Sequence, residues 1–386
     1  MKNIKYLFIL TGLIVLSSCF FAKKLYKKQL QPYTKNLEVQ YRLVHDNGKQ
    51  SKLFVNTNAK NYEITIKAYE NYKAKTLLFE EIAVFYNALD KLEQIKIAVP
   101  ARQYVLELSV KNIATKEIYS DVLDVDKTKD NEQTIIAYQE NEKPLICNYT
   151  NKGTTIRFKH VNAKTTQLFI KYFDEEFRAS RAPFIHKSWK FSSTKSFKSI
   201  EKININEPFK VDKKGLYFIQ SDTSTVDGLF LNCFSNNFPT LTNAQDLVAS
   251  TRYITKNIEY KKLTETDEIK NTLDAFWLER GGTKQRSREL IKAYYNRVQR
   301  SNRYFTTYKE GWKTDRGIIY IIFGKPLVIK KTPTFEYWYY TNSETGNSYD
   351  FNFNKKDGQY LLRRSQYYEY HWKDKIFEWR KGLIQE

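Results

Sequence analysis

Cysteine, histidine, methionine and glycine are all scarce in this chain of 386 residues: three Cys, four His, one Met and thirteen Gly. Three cysteines exclude a disulfide-stapled miniprotein and a multi-cysteine zinc or iron–sulfur protein. Four scattered histidines argue against a histidine-built metal site, and no cofactor is expected. His-Glu-x-x-His, Gly-x-Ser-x-Gly, Cys-x-x-Cys and the Walker spacing are all missing. His45, His160, His186 and His371 fall in no nucleophile motif and read as structural. Asp174-Glu175-Glu176 is acidic but reads as an exposed loop rather than a paired-carboxylate site. The chain is therefore not expected to be an enzyme. What it has in quantity is aromatic residues, 29 Tyr and 25 Phe, and positive charge, net +21. At 41% hydrophobic it can build real cores, which excludes general disorder.

The first residues give an address. Lys2 and Lys5 precede an apolar run from Leu7 to Leu16, and Leu16-Ser17-Ser18-Cys19 follows. This resembles a signal peptide ending in the lipobox of bacterial lipoproteins, with residues 1–18 removed and Cys19 lipidated. An uncleaved anchor is the alternative, but about 15 apolar residues fall short of the roughly 20 that span a bilayer. Residues 19–35 then form a lipidated tether. Its Lys23, Lys24, Lys27 and Lys28 suit either solvent or anionic headgroups. A basic stretch, where surface-exported lipoproteins usually carry acidic residues, implies a body that faces the periplasm.

Removing 18 residues leaves 368, enough for two or three domains. The fold expected is multidomain: two antiparallel β-sandwich (Ig-like) domains, then an α+β C-terminal domain. Alternation at Leu37–Val44, Tyr62–Ile66, Ile95–Val99 and Tyr104–Val110, with a turn at His45-Asp46-Asn47-Gly48, predicts the first sandwich over 36–127. Residues 126–133 read as a linker. Strands at Thr154–His160, Gln167–Phe173 and Leu216–Gln220 predict a second sandwich over 134–238, with Ser188–Lys202 as an exposed excursion. Cys147 and Cys233 lie in this region and would make either an inter-sheet disulfide or two buried free thiols. The remainder, 243–386, shows helical spacing. Leu247, Val248, Ile254 and Ile258 suggest a short helix, Thr266-Asp-Glu a helix start, and Thr283 the cap of a helix with Leu290, Tyr294 and Val298 on one face. Period two predicts strands at Ile318–Phe323, Phe335–Tyr340, Tyr349–Phe353 and Tyr360–Leu362. An aromatic helix is expected over Tyr367–Trp379.

Gly311-Trp312-Lys313-Thr314-Asp315-Arg316-Gly317, followed by Ile318 to Phe323 and Gly324-Lys325-Pro326, is the sharpest feature. With Tyr294-Tyr295-Asn296-Arg297-Val298, Asn302 and Phe305 upstream and Tyr337-Trp338-Tyr339-Tyr340 and Gly358-Gln359-Tyr360 downstream, it resembles the GWxTD domain, over about residues 245–365. That resemblance implies an envelope lipoprotein of Bacteroidota with β domains ahead of the GWxTD unit, and brings no assigned chemistry. Where many members carry a Pro-Pro-Asp-Glu-like sequence after the motif, this chain reads Gly324-Lys325-Pro326-Leu327-Val328.

Read physically, Gly311 and Gly317 offer backbone conformations closed to other residues, and Trp312 is an apolar anchor. Thr314 and Asp315 are turn formers, and Arg316 is available to a buried polar network. Together they would pin a helix-to-strand connection, with a partner- or ligand-binding role as the alternative.

Arg280 to Lys331 holds fourteen Lys or Arg against three acids, a net of +11. Arg286, Arg288, Lys292, Arg297, Arg300 and Arg303 stud its helix as a candidate basic face. The periplasmic address argues against nucleic acid, leaving a solubilising face or contact with anionic lipid, lipopolysaccharide phosphate or an acidic protein. The function expected is a non-enzymatic lipoprotein of the outer membrane, anchored by its N-terminal lipid. It would be a scaffold or accessory subunit of a machine for outer-membrane protein assembly, lipoprotein export or secretion, with an outer-membrane barrel or other lipoproteins as partners. The alternative is a glycan- or peptidoglycan-binding lipoprotein using aromatics such as Trp189, Trp372 or Trp379.

Overall fold

The computed structural model describes residues 30–384, apart from 47–49, 90, 100, 102, 130, 141, 188–196, 342–345, 347 and 357. Cys19, the segment before it, most of the tether and Trp189 lie outside the described residues.

Seven strands build the first β unit: β1 Val39–Asp46, β2 Gln50–Thr57, β3 Tyr62–Tyr69, β4 Leu77–Phe85, β5 Glu93–Ile97, β6 Gln103–Asn112 and β7 Ile118–Asp126. They form two antiparallel sheets, β1-β2-β5 and β4-β3-β6-β7. β1 and β2 pair with Leu43 opposite Leu53 and Asp46 opposite Gln50. Alternation puts one face of each strand inside: Tyr62, Ile64, Ile66 and Ala68 of β3 are wholly buried, with Leu53, Ile97 and Leu106 among their company.

The second β unit has β8 Ile135–Gln139, β9 Tyr149–Thr150, β10 Thr155–His160, β11 Gln167–Phe173, β12 Ser199–Asn204, β13 Pro208–Lys210, β14 Gly215–Gln220 and β15 Leu229–Cys233. Its sheets run β13-β10-β8 and β12-β11-β14-β15-β9, antiparallel except where β9 lies parallel to β15. The end of the expected excursion is corrected here, its residues 188–196 lying outside the described residues. Residues 199–202 belong to β12, paired along β11 with Lys202 opposite Phe169, and as an edge strand facing water β12 shows no apolar alternation to read.

The C-terminal unit begins with helices: α1 Ala244–Ser250, α2 Asn257–Thr264, α3 Ile269–Gly281 and α4 Lys284–Phe305. The single short helix expected near 247–258 is two, divided at Thr251–Tyr253, and Ile258 is 77% exposed. Thr283 caps α4 as its sequence indicates, accepting from Arg286 N.

A turn at Gly311–Lys313 leads into α5 Asp315–Phe323, then the meander β16 Val328–Lys331, β17 Phe335–Thr341, β18 Ser348–Lys356, β19 Gln359–Leu362, and finally α6 Tyr368–Arg380. The strand predicted at 318–323 is therefore a helix. Every residue of that run is buried, so neither period two nor period 3.6 shows, and β-branched composition misleads. Thr314 caps its start and Gly324, at φ +80°, ends it. Among the described residues no helix is long and apolar enough to cross a membrane.

The segment before β1 joins units. Gln31 pairs with Ser120 on β7, while the Leu30 amide donates to the Ile329 carbonyl on β16. Tyr33 sits in a nest of rings from the C-terminal unit, with centroids 5.0 to 5.6 Å from those of Tyr304, Phe305, Tyr320 and Trp338.

Candidate functional site

Residues 311–317 form a close-packed crossing beside the end of α4. A Cβ on Gly311 would stand 1.8 Å from the Ser301 carbonyl oxygen, and one on Gly317 1.9 Å from the Gly311 carbonyl oxygen. Neither glycine has a positive φ, which corrects the expectation of a special backbone conformation; the need is close approach of three backbones. The motif joins helix to helix, not helix to strand.

Asn302, fully buried, holds the crossing: its Oδ1 accepts from Trp312 N at 3.1 Å and its Nδ2 donates to the Pro239 carbonyl at 2.9 Å. Thr306 Oγ1 accepts from Gly311 N at 3.0 Å. Thr314 Oγ1 donates to the Gly311 carbonyl at 2.8 Å and accepts from Gly317 N at 3.0 Å, tying the turn to the helix cap. Trp312 is buried edge-on to Tyr253.

Asp315 and Arg316, adjacent in the motif, each reach into a different inter-unit seam. Asp315 Oδ2 accepts from Leu362 N at 2.8 Å, and Oδ1 pairs with Arg364 Nη2 at 2.5 Å. Arg364 reaches on through Nη1 to the carbonyls of Ala182 and Arg181, at 2.7 and 2.9 Å, in the segment that leaves the second sandwich.

Arg316 stacks on Tyr360, its guanidinium carbon 3.6 Å from the ring centroid, and lies 3.6 Å from Glu336 Oε2. Glu336, wholly buried, also accepts from Trp338 Nε1 at 2.6 Å and lies 3.7 Å from Lys331 Nζ. Lys331 donates to Asp121 on β7, and Tyr41 donates to the same carboxylate at 2.8 Å. Charges thus alternate from Arg316 through Glu336 and Lys331 to Asp121, crossing into the first sandwich. Burial alone would depress the Lys331 ammonium, but Asp121 and Glu336 hold it above the ordinary lysine range.

Other lysines close the second seam. Lys313 Nζ donates to Glu176 at 2.6 Å and Glu310 at 2.9 Å, and its carbonyl accepts from Ser180 N at 2.8 Å. Lys309 donates to the Arg178 carbonyl at 3.1 Å, and burial pushes its pKa down to about 8. Beneath the motif, between Ser180, Lys309, Asp315, Arg316 and Gln359, lies a cavity of about 20 Å³, room for roughly one water. A far larger cleft, about 800 Å³, opens where the three units meet, with walls that include Tyr41 and Asp121, Cys147 and Tyr149, and Arg303 and Tyr360.

The six basic residues on α4 are not one face. Arg286 donates to the Gly382 carbonyl, and Arg297 to the carbonyls of Ile321 and Ile322 at the end of α5, at 3.2 and 3.3 Å. Arg300 reaches the Lys35 carbonyl and Arg303 pairs with Glu38, both on the segment before β1. Arg288 and Lys292 remain exposed.

Trp372 and Trp379 are core residues, 5% and 0% exposed, so they offer no glycan platform. Cys147, half-buried, and Cys233, buried, are free thiols in this structure. Among the described residues no cluster of three or more His, Cys, Asp or Glu could hold a metal. Sequence reasoning missed Glu336, Lys331, Asp121 and Arg364. One signal was readable: Glu336 shares a strand face with Trp338 and Tyr340, and an acid in a core register demands a buried partner.

Residues 215–381 match the family model described as the GWxTD domain. The chain carries a GWxTD domain. The match starts about thirty residues before the stretch where the resemblance is visible by eye, and takes in β14 and β15. Their packing accounts for that: Leu216 and Phe218 cluster with Tyr308, and Asn232 donates to the Thr307 carbonyl at 2.6 Å, beside the GWxTD motif.

No curated protein matches the chain. Three solved structures are similar at low level. A trypsin-activated alpha-2-macroglobulin from Escherichia coli is 8% identical over 54% of this chain and 17% of its own, with a TM-score of 0.18. The three N-terminal domains of the outer capsid protein Hoc of bacteriophage RB49 are 13% identical over 48% of this chain and 52% of theirs, with a TM-score of 0.16. A C-terminal 282-residue fragment of intimin, in complex with the intimin-binding domain of its translocated receptor, is 8% identical over 86% and 95%, also with a TM-score of 0.16. The chain thus spans about a sixth of the macroglobulin, and at these TM-scores none of the three carries an argument.

Proposed function

We propose that this protein is a non-enzymatic outer-membrane lipoprotein of Bacteroidota type, anchored through Cys19 and facing the periplasm. Its two Ig-like sandwiches and GWxTD domain work as a rigid scaffold or accessory subunit of an envelope machine. Outer-membrane protein assembly, lipoprotein export and secretion are the candidate settings. The supporting observation is the use made of Asp315 and Arg316. Each leads out of the GWxTD domain to a different sandwich, through Arg364 to residues 181–182 and through Glu336 and Lys331 to Asp121. Side chains spent on locking modules are what a spacer of fixed geometry requires. A tagged chromosomal copy, purified from native membranes in mild detergent, tests the reading by mass spectrometry. Stoichiometric recovery of an outer-membrane barrel or of other lipoproteins is expected; recovery alone from a cleanly solubilised sample counts against it. Loss of metabolic fatty-acid labelling in Cys19→Ala tests the anchor.

The glycan-binding alternative draws support from the inter-unit cleft, whose size lies in the range of ligand sites and whose walls combine Tyr41, Tyr104 and Tyr149 with Gln40, Asn71 and Asn148. Rings for stacking and amides for hydroxyl groups suit a sugar. Pull-down on peptidoglycan and polysaccharides separates the readings, and absence of retention ends this one.

A further inference from the structure

Sheet edges expose unpaired N–H and C=O groups, and this fold guards most of its own. In the first sandwich β7 is paired by Gln31, and in the C-terminal sheet β16 is covered by Leu30. Edge strands β9 and β13 are two and three residues long, and β5 only five.

β1 and β12 end their sheets as well, but β1 is met by the following segment, where His45 N donates to the Gln133 carbonyl, and β12 is only six residues long; β4 is the longest edge. It is nine residues long, ends the order β4-β3-β6-β7, contains no proline, and pairs with β3 alone among the described strands. Alternate residues of such a strand turn their backbone groups outward.

Its outer-face side chains are open as well. Leu78, Ile82 and Val84 are 44%, 59% and 45% exposed on the outer face. On the core-facing side Glu81 lies opposite Ile66, yet Glu81 is exposed while Ile66 is fully buried. Phe79, Ala83 and Phe85 on that side pack against the core, while Glu81 between them reaches solvent, so the core is only partly closed along this edge.

We propose that β4 receives an extended segment of a partner protein as an added strand. The free main-chain groups select a strand, since neither a helix nor a lipid chain presents the alternating donors and acceptors that satisfy them. The side chains select its composition: apolar residues on the side of Leu78, Ile82 and Val84, and a Lys or Arg across from Glu81. Glu80 is already engaged by Lys67 at 2.7 Å. Charge argues against a second copy, because central antiparallel pairing of β4 with itself, Leu77 opposite Phe85, would oppose Glu81 to its own equivalent. This deepens the scaffold reading by naming a surface and a partner chemistry, and rests on that reading only for its envelope setting.

The test uses the purified mature chain and a defined probe, the peptide Thr-Val-Thr-Val-Lys-Val-Thr-Val-Thr. Slowed amide hydrogen exchange at alternate positions within residues 77–85 is expected on adding it. A peptide of the same composition with its valines clustered should leave exchange unchanged. Both substituted side chains of Ile82→Lys/Val84→Lys are exposed, so that variant should fold normally and bind about tenfold more weakly. Glu81→Lys should lose the lysine peptide and gain one with Glu at its centre.

The proposal is overturned by unchanged exchange in β4, by equal binding of the clustered peptide, or by wild-type affinity in the double-lysine variant. Vesicle binding abolished by those lysines, without peptide protection, would reassign the edge to lipid. Dimers abolished by them would reassign it to self-association. Because the readout is in purified protein, failure of the scaffold reading in membranes leaves it standing, and the reverse holds too.

Discussion

Asp315 and Arg364 form an ion pair closed at 2.5 Å, with side chains only 3% and 5% exposed, 49 positions apart in the chain. The pair does two jobs at once. Asp315 pins the start of α5 to the end of β19 through Leu362, and Arg364 grips the carbonyls of residues 181 and 182. Removing one partner leaves a buried charge without compensation, the expensive way to break such a pair. Asp315→Ala should therefore cost about 3 to 5 kcal/mol in urea denaturation. A double-mutant cycle with Arg364→Ala should show coupling well above the usual error for independent sites. A loss under about 1 kcal/mol would mean that the pair does not hold the seam.

The glycines make a sharper case. With 1.8 and 1.9 Å to fixed carbonyl oxygens, Gly311→Ala and Gly317→Ala must push backbones apart. Each should destabilise by about 3 kcal/mol or more, or prevent folding. Gly153→Ala is the control: it meets open space at φ +87°, so its cost should stay near 1 to 2 kcal/mol. Equal effects at the three positions would refute the close-approach explanation.

Tyr33 belongs to the segment before β1 but completes an aromatic nest in the C-terminal unit. Tyr33→Ala should cost about 3 to 5 kcal/mol, as for other large buried rings. A chain beginning at residue 39 should lose near-ultraviolet circular dichroism from its tryptophans. A synthetic peptide of residues 29–38 should restore part of it. A full native signal without that segment would show the nest to be dispensable.

His45 supplies a pH dependence. Burial, with Lys127 adding to it, lowers its pKa from 6.5 to about 4, and its Nδ1 lies 2.7 Å from Ser51 Oγ. Below 6.5 the unfolded chain takes up a proton that the folded site refuses. The stabilisation is therefore complete above about pH 6.5 and lost as pH falls toward 4, about 3 kcal/mol in all. Urea melts at pH 7.5 and pH 4.5 should differ by less in His45→Gln than in the wild type; equal differences would remove His45 as the source.

Much of the architecture is legible in residue patterns. The alternation of Tyr62, Ile64 and Ile66 names β3 and its buried face, and Thr283 with Leu290, Tyr294 and Val298 names α4 and the side it buries. Pattern fails where burial is complete: Ile318 to Phe323 has no polar face, so strand and helix leave the same trace. It also fails for charge. Arg297 and Arg303 look like members of a basic surface, but one caps α5 and the other fastens Glu38, because a charge count along one helix says nothing of the acceptors brought to it.

Outside Ile318–Phe323, strand and helix periods, caps and turns, and the Gly311–Gly317 motif are legible in the chain itself, since each depends on neighbours within a few positions. What that motif is for in the fold emerges only from the packing. Ser301, Leu362, Arg364 and Glu336 meet it from up to 49 positions away, and contacts over such separations are set by how sheets and helices stack, which no local period encodes. The same holds for β4. Its composition marks a strand, but that it ends its sheet follows from strand order alone.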